Sequence, residues 1–180
     1  MTERHHALNF EVTDKIKLIP LKGADAHCIF TLVEQSRVEL GQYLYWVKDV
    51  INIKTAEEYI LKRINSGLVG SVWFKIQFNN EDCGIFAIKS VCKQTGIAEL
   101  GYWLSHYFYK KGIISDIVNK LPQYLIKYSD AKIIEFRCLE DNLASISIAK
   151  KSGAKFIKSL PEYMEIANSN QNLNIYQVMI

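Results

Sequence analysis

The chain has 180 residues, of which 49% are hydrophobic and 23% charged, and its net charge is +3. This length suits a single domain, and the composition is that of a globular protein rather than of a disordered or collagen-like chain. The small positive excess argues against nucleic-acid binding through one large basic field. It leaves room for a positive groove that takes a phosphate-bearing cofactor.

The sequence also suggests a cellular setting. No apolar run approaches the roughly 20 residues that a bilayer-spanning helix needs. The first residues, MTERHH, are polar and lack the apolar stretch of a signal peptide, so we expect a cytoplasmic protein. The spacing of the four cysteines predicts neither a zinc site nor a disulfide framework. We expect three of them, Cys83, Cys92 and Cys138, to be ordinary core residues.

The chain begins with a polar segment. Residues 1–11 predict a flexible arm, and residues 12–180 predict one folded domain, because no Pro/Gly/Ser-rich linker divides them. Alternating apolar and polar residues over 14–21 predict a strand. Apolar residues at helical spacing over 21–39 then predict the first helix.

An aromatic loop and a second helix are predicted next. The loop covers residues 41–50, and its aromatic side chains are Tyr43, Tyr45 and Trp46. Thr55 is the predicted N-cap of the second helix, because Glu58 stands three residues later, as in a capping box. Gly67 can end this helix.

The middle of the chain changes to a period of two. Residues 71–78 and 83–91 predict two strands around a turn, and residues 97–104 (IAELGYWL) predict a third strand. A helical period returns over 112–128. Pro122 lies inside this helix and should end or kink it, since proline lacks the backbone N–H.

The C-terminal part alternates again. Residues 132–139 predict a buried strand, and residues 142–152 predict a short helix closed by Gly153. Residues 154–160 and 174–180 are the predicted final strands. The element order β-α-α-β-β-β-α-β-α-β-β predicts an α/β fold, with helices on the faces of a mixed sheet.

One segment suited to anion binding is the turn KKGII (110–114), which follows the strand segment AELGYWL (98–104) and opens a helix. The first N–H groups of a helix lack intrahelical partners and carry a partial positive charge, so they suit a pyrophosphate. Lys110 and Lys111 would add positive charge. The alternative is a plain strand-to-helix connection with solvated lysines.

A second segment begins at Asn142, which suits a helix N-cap. Ser145 lies one turn into that helix, and Gly153 stands eleven residues beyond Asn142. Neither Asn142 nor Ser145 would be assigned a function in isolation.

Together the two segments resemble the GNAT superfamily of acetyl-CoA-dependent N-acetyltransferases, and most of all its ribosomal-protein (serine/alanine) branch, which modifies protein N-terminal amines. The residues that carry the resemblance are AELGYWL (98–104), KKGI (110–113), Asn142, Ser145, Lys151 and Gly153. The element order agrees with this family from about residue 12 to 180. The resemblance implies a single domain with a mixed, mostly antiparallel central sheet. The chain departs from the family pattern at Tyr109, Lys110, Ile114 and Ala149.

The resemblance implies acetyl-CoA as co-substrate and direct attack of an amine on the thioester, without a metal. It places the pantetheine arm along the central strand, the pyrophosphate at the turn, and Asn142 beside the cofactor arm. The implied cofactor-binding residues are Trp103, Leu104, Tyr109, Lys110, Lys111, Gly112, Ile113, Ile114 and Asn142.

Two catalytic residues are implied. Ser145 would donate a proton to the departing thiolate or orient its sulfur. Glu99 would accept the proton of the amine, directly or through a water molecule. The alternative for Glu99 is a structural ion pair with a lysine or arginine, and His27 and His106 compete with it as bases.

The acceptor pocket is expected in the N-terminal half, walled by Tyr43, Tyr45 and Trp46. The alternative is that these aromatics pack on the domain or form a dimer contact. We expect the acceptor to be the N-terminal α-amine of a ribosomal protein. A small amine (a polyamine, an amino acid or an antibiotic) and a non-catalytic acyl-CoA-binding module remain open, as does a homodimer. No direct nucleic-acid or membrane partner is expected.

Overall fold

The structure is a computed structural model that describes residues 8–166 and 169–180. The strands are β1 (Phe10–Glu11), β2 (Ile16–Pro20), β3 (Val72–Phe78), β4 (Glu81–Val91), β5 (Ile97–Leu104), β6 (Ile133–Leu139), β7 (Lys155–Ile166) and β8 (Ser169–Met179). The α-helices are α1 (Ala26–Gln35), α2 (Arg37–Gly41), α3 (Ile53–Ile64), α4 (Ile113–Tyr128) and α5 (Leu143–Lys151). Short 3₁₀ helices cover Gly23–Asp25, Tyr45–Asp49 and His106–Phe108.

The strands form one sheet in the order β1-β2-β3-β4-β5-β6-β8-β7. Neighbouring strands are antiparallel except for β5 and β6, which run parallel. This confirms the predicted α/β fold with a mixed, mostly antiparallel sheet.

Helices cover both faces of the sheet. On one face α4 and α5 pack over Phe86 and Phe136, and on the other α1 and α3 pack over Ile85 and Trp103. Ile85 and Phe86 are consecutive residues and are both fully buried. Successive side chains of this central strand point to opposite faces of the sheet, and a helical layer covers each face. This explains why β4 lacks a polar face.

The predicted first helix is broken at Ser36. The structure has a 3₁₀ turn, α1 and α2 in place of one helix over 21–39. Ser36 is fully buried, and its hydroxyl lies 3.0 Å from Ser105 Oγ and 3.1 Å from His106 Nδ1. The break is therefore accompanied by tertiary hydrogen bonds that tie this part of the chain to the end of β5.

The predicted bounds of the second helix were wrong at both ends. Asn52 is the N-cap of α3, since its side chain accepts a hydrogen bond from the Thr55 N–H at 2.9 Å. Thr55 occupies the third helical position, and its hydroxyl accepts from the Asn52 N–H at 3.1 Å. The helix ends at Ile64, before Gly67.

Pro122 does not end α4, which continues to Tyr128. Ile117, Leu121 and Leu125 lie on its buried face in the main core. Burial of this face compensates for the backbone hydrogen bond that a proline removes, because most helix stability in proteins comes from tertiary packing.

The C-terminal strands are longer than predicted. Strand β7 includes Pro161 and Glu162 because a register shift between Leu160 and Met164 accommodates them. Strand β8 begins with polar residues that do not resemble a buried strand. The long β7–β8 hairpin thus depends on pairing rather than on an apolar pattern.

The structure describes part of the predicted N-terminal arm and all of the cysteines predicted to be buried. Part of the predicted arm, residues 1–7, lies outside the described residues, while Phe10 pairs with Leu18 at the sheet edge. Cys83 and Cys138 are buried, as predicted, whereas Cys92 is exposed. It follows Val91, the last residue of β4, and so lies beyond the strand.

Candidate active site

The centre of the sheet opens between β5 and β6. The two strands pair only from Ile97 to Glu99, opposite Ile133 to Glu135. Strand β5 continues to Leu104 and β6 to Leu139, yet no described strand pairs with the β5 edge that faces β6 over residues 100–104. Backbone N–H and C=O groups along that edge are available to an extended ligand. We call this opening the wedge.

Three side chains meet across the wedge on the α4/α5 face. Tyr102 Oη lies 2.9 Å from Ser145 Oγ, and Cys138 Sγ lies 3.2 Å from the same atom. The register that pairs Glu99 with Glu135 would, if continued, place Tyr102 opposite Cys138. Ser145, from α5, bridges the two strands where they no longer pair directly.

Burial sets the protonation of this cluster. It raises the pKa of Tyr102, although the hydrogen bond to Ser145 opposes the rise. Burial likewise raises the pKa of the Cys138 thiol. Tyr102 and Cys138 are therefore neutral at physiological pH, and each carries a proton that can be donated to Ser145.

Asn142 fixes where α5 begins. Its side-chain oxygen accepts a hydrogen bond from the Ser145 N–H at 3.1 Å. This is the predicted N-cap, and it also sets the position of Ser145 because the two residues share the first helical turn.

The turn before α4 is open to solvent. Lys110 and Gly112 have positive φ angles of 60° and 77°. A Cβ atom added at Gly112 would meet nothing within 4 Å, so the space beside the backbone is empty. The N–H groups of Ile113 and Ile114 lie in the first turn of α4, which has no side-chain cap. This end of the helix presents backbone donors next to open space.

The side chains of Tyr109, Lys110 and Lys111 in this turn have different surroundings. Lys111 Nζ lies 4.9 Å from the ring centroid of Phe108, in a cation–π contact rather than over the helix end. Lys110 is exposed. The pKa of Tyr109 is raised by burial and by the negative charge of Glu39.

Glu99 lies on the opposite face of β5 from the Ser145 cluster. Its carboxylate is bonded to Lys89 and lies 3.5 Å from Arg137 Nη1. Arg137 Nε also donates to Glu135 at 2.7 Å. The structural ion pair considered for Glu99 is present, so a proton from an amine would reach this carboxylate only in competition with Lys89.

The two histidines proposed as alternative bases have different surroundings. His106 is partly buried and shares the buried hydroxyl of Ser36. His27 is exposed on α1. Neither is bonded to Ser145 or Tyr102.

The three aromatics predicted to wall the acceptor pocket are separated. Trp46 is buried, with its ring centroid 4.2 Å from that of Tyr59. Tyr43 packs against a cluster that includes Leu139, beside the wedge. Tyr45 is 54% exposed. Tyr45 is therefore open to solvent, Tyr43 is partly covered, and Trp46 lies in the core.

Trp103 and Leu104, predicted to contact the cofactor, are both buried at the end of β5. Trp103 Nε1 donates to Tyr59 Oη at 3.2 Å, within the α1/α3 layer. These two residues can reach the wedge through their backbone atoms.

Sequence reasoning missed Tyr102, Cys138, Lys89 and Arg137 as members of the site. Tyr102 lay within the segment AELGYWL, and alternation along β5 places it on the face opposite Glu99. The contact between Ser145 and Tyr102 could not be inferred, because the two residues are 43 positions apart in the chain. The described residues contain no group of three or more His, Cys, Asp or Glu side chains that could hold a metal ion.

The geometry agrees with comparisons to known proteins. Residues 15–155 match the acetyltransferase (GNAT) domain family, and the chain belongs to that family. It is thus an acetyltransferase, as the sequence predicted.

The chain is also similar to individual known proteins over nearly its whole length. The chain is 20% identical over 171 residues to the ribosomal-protein-serine acetyltransferase of Escherichia coli (strain K12), covering 94% of this chain and 96% of that protein. Its fold is similar to that of RimL, the ribosomal L7/L12 alpha-N-protein acetyltransferase, in complex with coenzyme A. The TM-score is 0.88 at 20% identity, over 96% of this chain and 98% of RimL. It is also similar to the microcin C7 self-immunity acetyltransferase MccE in complex with acetyl-CoA and AMP. Here the TM-score is 0.84 at 23% identity, over 94% of both chains.

Within residues 8–166 and 169–180, no helix has both the length and the hydropathy needed to cross a membrane.

Proposed function

We propose that this protein transfers an acetyl group from acetyl-CoA to the N-terminal α-amine of a protein, with a ribosomal protein as the acceptor. The observation that carries the proposal is the wedge between β5 and β6, together with the Ser145 hydroxyl that bridges it. A free strand edge beside a hydroxyl donor suits an extended thioester whose sulfur must be stabilised as it leaves.

Three features of the chain fit the donor. The unpaired edge of β5 over residues 100–104 would bond the pantetheine amides, with Trp103 and Leu104 contributing backbone groups. The turn at Gly112 would receive the pyrophosphate on the N–H groups of Ile113 and Ile114, and Lys110 would add positive charge. The coenzyme A and acetyl-CoA complexes of RimL and MccE support this choice of donor.

The chemistry follows from these positions. The amine nitrogen attacks the thioester carbonyl carbon, so a C–N bond forms as the C–S bond breaks. Glu99 or a water molecule takes the proton that the nitrogen loses. Ser145 donates a hydrogen bond to the sulfur, which leaves as a thiolate and takes a proton from solvent. A thiolate is a tolerable leaving group once its charge is stabilised.

The balanced charges around Glu99 favour a peptide over a polycationic acceptor. Glu99 and Glu135 face Lys89 and Arg137, so two negative charges are matched by two positive ones. A polyamine site would need an excess of acidic groups. The similarity to the E. coli relative and to RimL, both acetyltransferases of ribosomal proteins, supports a protein acceptor.

The similarity to MccE keeps a small-molecule amine as a second candidate, because that self-immunity enzyme was solved with AMP. The experiment that separates the two follows the release of free coenzyme A thiol. We expect release with a peptide that begins with serine or alanine, and none with the same peptide blocked at its N-terminus. Faster release with spermidine or with an amine-bearing derivative of AMP than with the peptide would reject the protein acceptor.

A further inference from the structure

Ser145 has two hydrogen-bonding neighbours but only one hydrogen. Its Oγ atom lies 2.9 Å from Tyr102 Oη and 3.2 Å from Cys138 Sγ. A serine hydroxyl donates once and accepts up to twice. If Tyr102 donates to Ser145, the Ser145 hydrogen is free to point at a sulfur atom, and in the unliganded protein that sulfur is Cys138.

Tyr102 is held where it can act as such a donor. Its ring stacks on the fully buried Phe86, with centroids 6.1 Å apart and an angle of 5° between the planes. Tyr102 is partly buried, and its phenol finds a hydrogen-bond partner in Ser145. A serine in a helix can otherwise rotate to bond the carbonyl of the preceding turn, which would direct its hydrogen away from the wedge.

We propose that Tyr102 is a positioning residue for acetyl transfer: it donates to Ser145 Oγ and directs the Ser145 hydrogen toward the sulfur of coenzyme A. The inference rests on the proposed function. A hydroxyl that accepts one hydrogen bond also donates a stronger one. Tyr102 therefore aligns the donor and increases its strength, and it keeps its own proton throughout.

The most direct test measures the pKa of the coenzyme A thiol in the complex. Thiolate absorbance is followed against pH, and the spectrum of the desulfo-coenzyme A complex is subtracted to remove protein thiols and phenols. A donor aimed at the sulfur stabilises the thiolate. In the unaltered protein we expect the pKa of the bound thiol to lie about 2 below that of free coenzyme A titrated in the same way, which corresponds to the roughly 100-fold effect on kcat expected when the donor is removed.

Four variants show which side chains lower the pKa of the bound thiol. Ser145→Ala should return the pKa of the bound thiol to the free value, and Tyr102→Phe should recover about half of the difference. Tyr102→Phe combined with Ser145→Ala should match Ser145→Ala alone, because Tyr102 acts through Ser145. Tyr124→Phe is the matched control, because Tyr124 is a buried core tyrosine whose hydroxyl bonds no described side chain.

Kinetics provide a second measurement. Tyr102→Phe should lower kcat about 5- to 10-fold, with the KM for acetyl-CoA within about twofold, and should have no further effect when Ser145 is alanine. Thermal unfolding checks the fold, and Tyr102→Met replaces the phenylalanine variant if that variant unfolds. Equal effects of Tyr102→Phe in both backgrounds, or no effect where Ser145→Ala has one, would overturn the inference. Failure of the unaltered protein to bind coenzyme A would overturn the proposed function instead.

Discussion

Tyr102 and Trp103 are consecutive on β5, yet their polar atoms are bound on opposite sides of the sheet. Tyr102 Oη lies 2.9 Å from Ser145 Oγ, whereas Trp103 Nε1 donates to Tyr59 Oη at 3.2 Å. One strand therefore joins the Ser145 cluster to the N-terminal helical layer. Substitutions at neighbouring positions should consequently affect catalysis and stability separately.

Ser145→Ala should lower kcat about 100-fold while acetyl-CoA still binds, because the leaving sulfur loses its hydrogen-bond donor. Steady-state kinetics and calorimetry on the same preparation measure the two effects. Ser147→Ala, an exposed position on the same helix, is the control and should retain full activity. If Ser145→Ala loses cooperative unfolding, the residue is structural.

Glu99→Gln should lower kcat near neutral pH with little change in acetyl-CoA affinity, because an amide cannot take the proton of the amine. Lys89→Met removes the ion-pair partner but keeps the carboxylate, so it should remain active. A pH–rate profile of each variant distinguishes the two roles. Unchanged kcat in Glu99→Gln with a proven acceptor would leave Glu99 only its ion pairs with Lys89 and Arg137.

In the aromatic loop we expect Trp46 to contribute to stability and Tyr45 to contribute to acceptor binding. Trp46→Ala should lower the free energy of unfolding by about 3–5 kcal/mol, since it leaves a cavity beside Tyr59 and Trp103. Tyr45→Ala should change it by less than about 0.5 kcal/mol, as is usual for exposed positions, and should raise the KM for a peptide acceptor. Urea unfolding and peptide kinetics test the pair. An unchanged peptide KM in Tyr45→Ala would remove this residue from the acceptor pocket.

Two thiols predict alkaline sensitivity. Burial raises the pKa of Cys83 from 9.0 to about 12, and partial burial together with the neighbouring Asp82 carboxylate raises the pKa of Cys28 by a similar amount. A group whose pKa is higher in the folded state contributes stability below its unfolded pKa and loses it as pH rises through the folded pKa. The free energy of unfolding should therefore fall between pH 9 and 12, and Cys83→Ala should reduce the slope. Stability that stays level across this range in the unaltered protein would contradict the assignment.

Much of the fold could be predicted from local pattern, because strands and helices that lie under or within the core carry a clear apolar period. The strand over 97–104 was predicted at its observed bounds, and the helix predicted over 112–128 forms over Ile113–Tyr128 without ending at Pro122. The start of α3 was not, since Asn52 and Thr55 cap it reciprocally and either could have been the N-cap. The β7–β8 hairpin was underestimated, because its polar residues are ordered by pairing with one another.

The site was less accessible to sequence reasoning. Ser145 was predicted through a family resemblance, whereas its partners Tyr102 and Cys138 come from two different strands. Trp46 looked like a loop aromatic, but the 3₁₀ turn at Tyr45–Asp49 directs it into the core. Contacts between residues far apart in the chain depend on the fold, so no local pattern could reveal them.

The central claim, that this protein uses acetyl-CoA as acetyl donor, is tested most directly by calorimetric titration of acetyl-CoA into three proteins. The unaltered protein should bind at micromolar concentration, and Gly112→Trp should abolish binding by filling the space at the turn. Gly67→Trp is the matched control, because Gly67 also has a positive φ, of 72°, and open space beside it, but lies in the loop that follows α3. Absence of binding at millimolar acetyl-CoA, or equal loss in both tryptophan variants, would contradict the account.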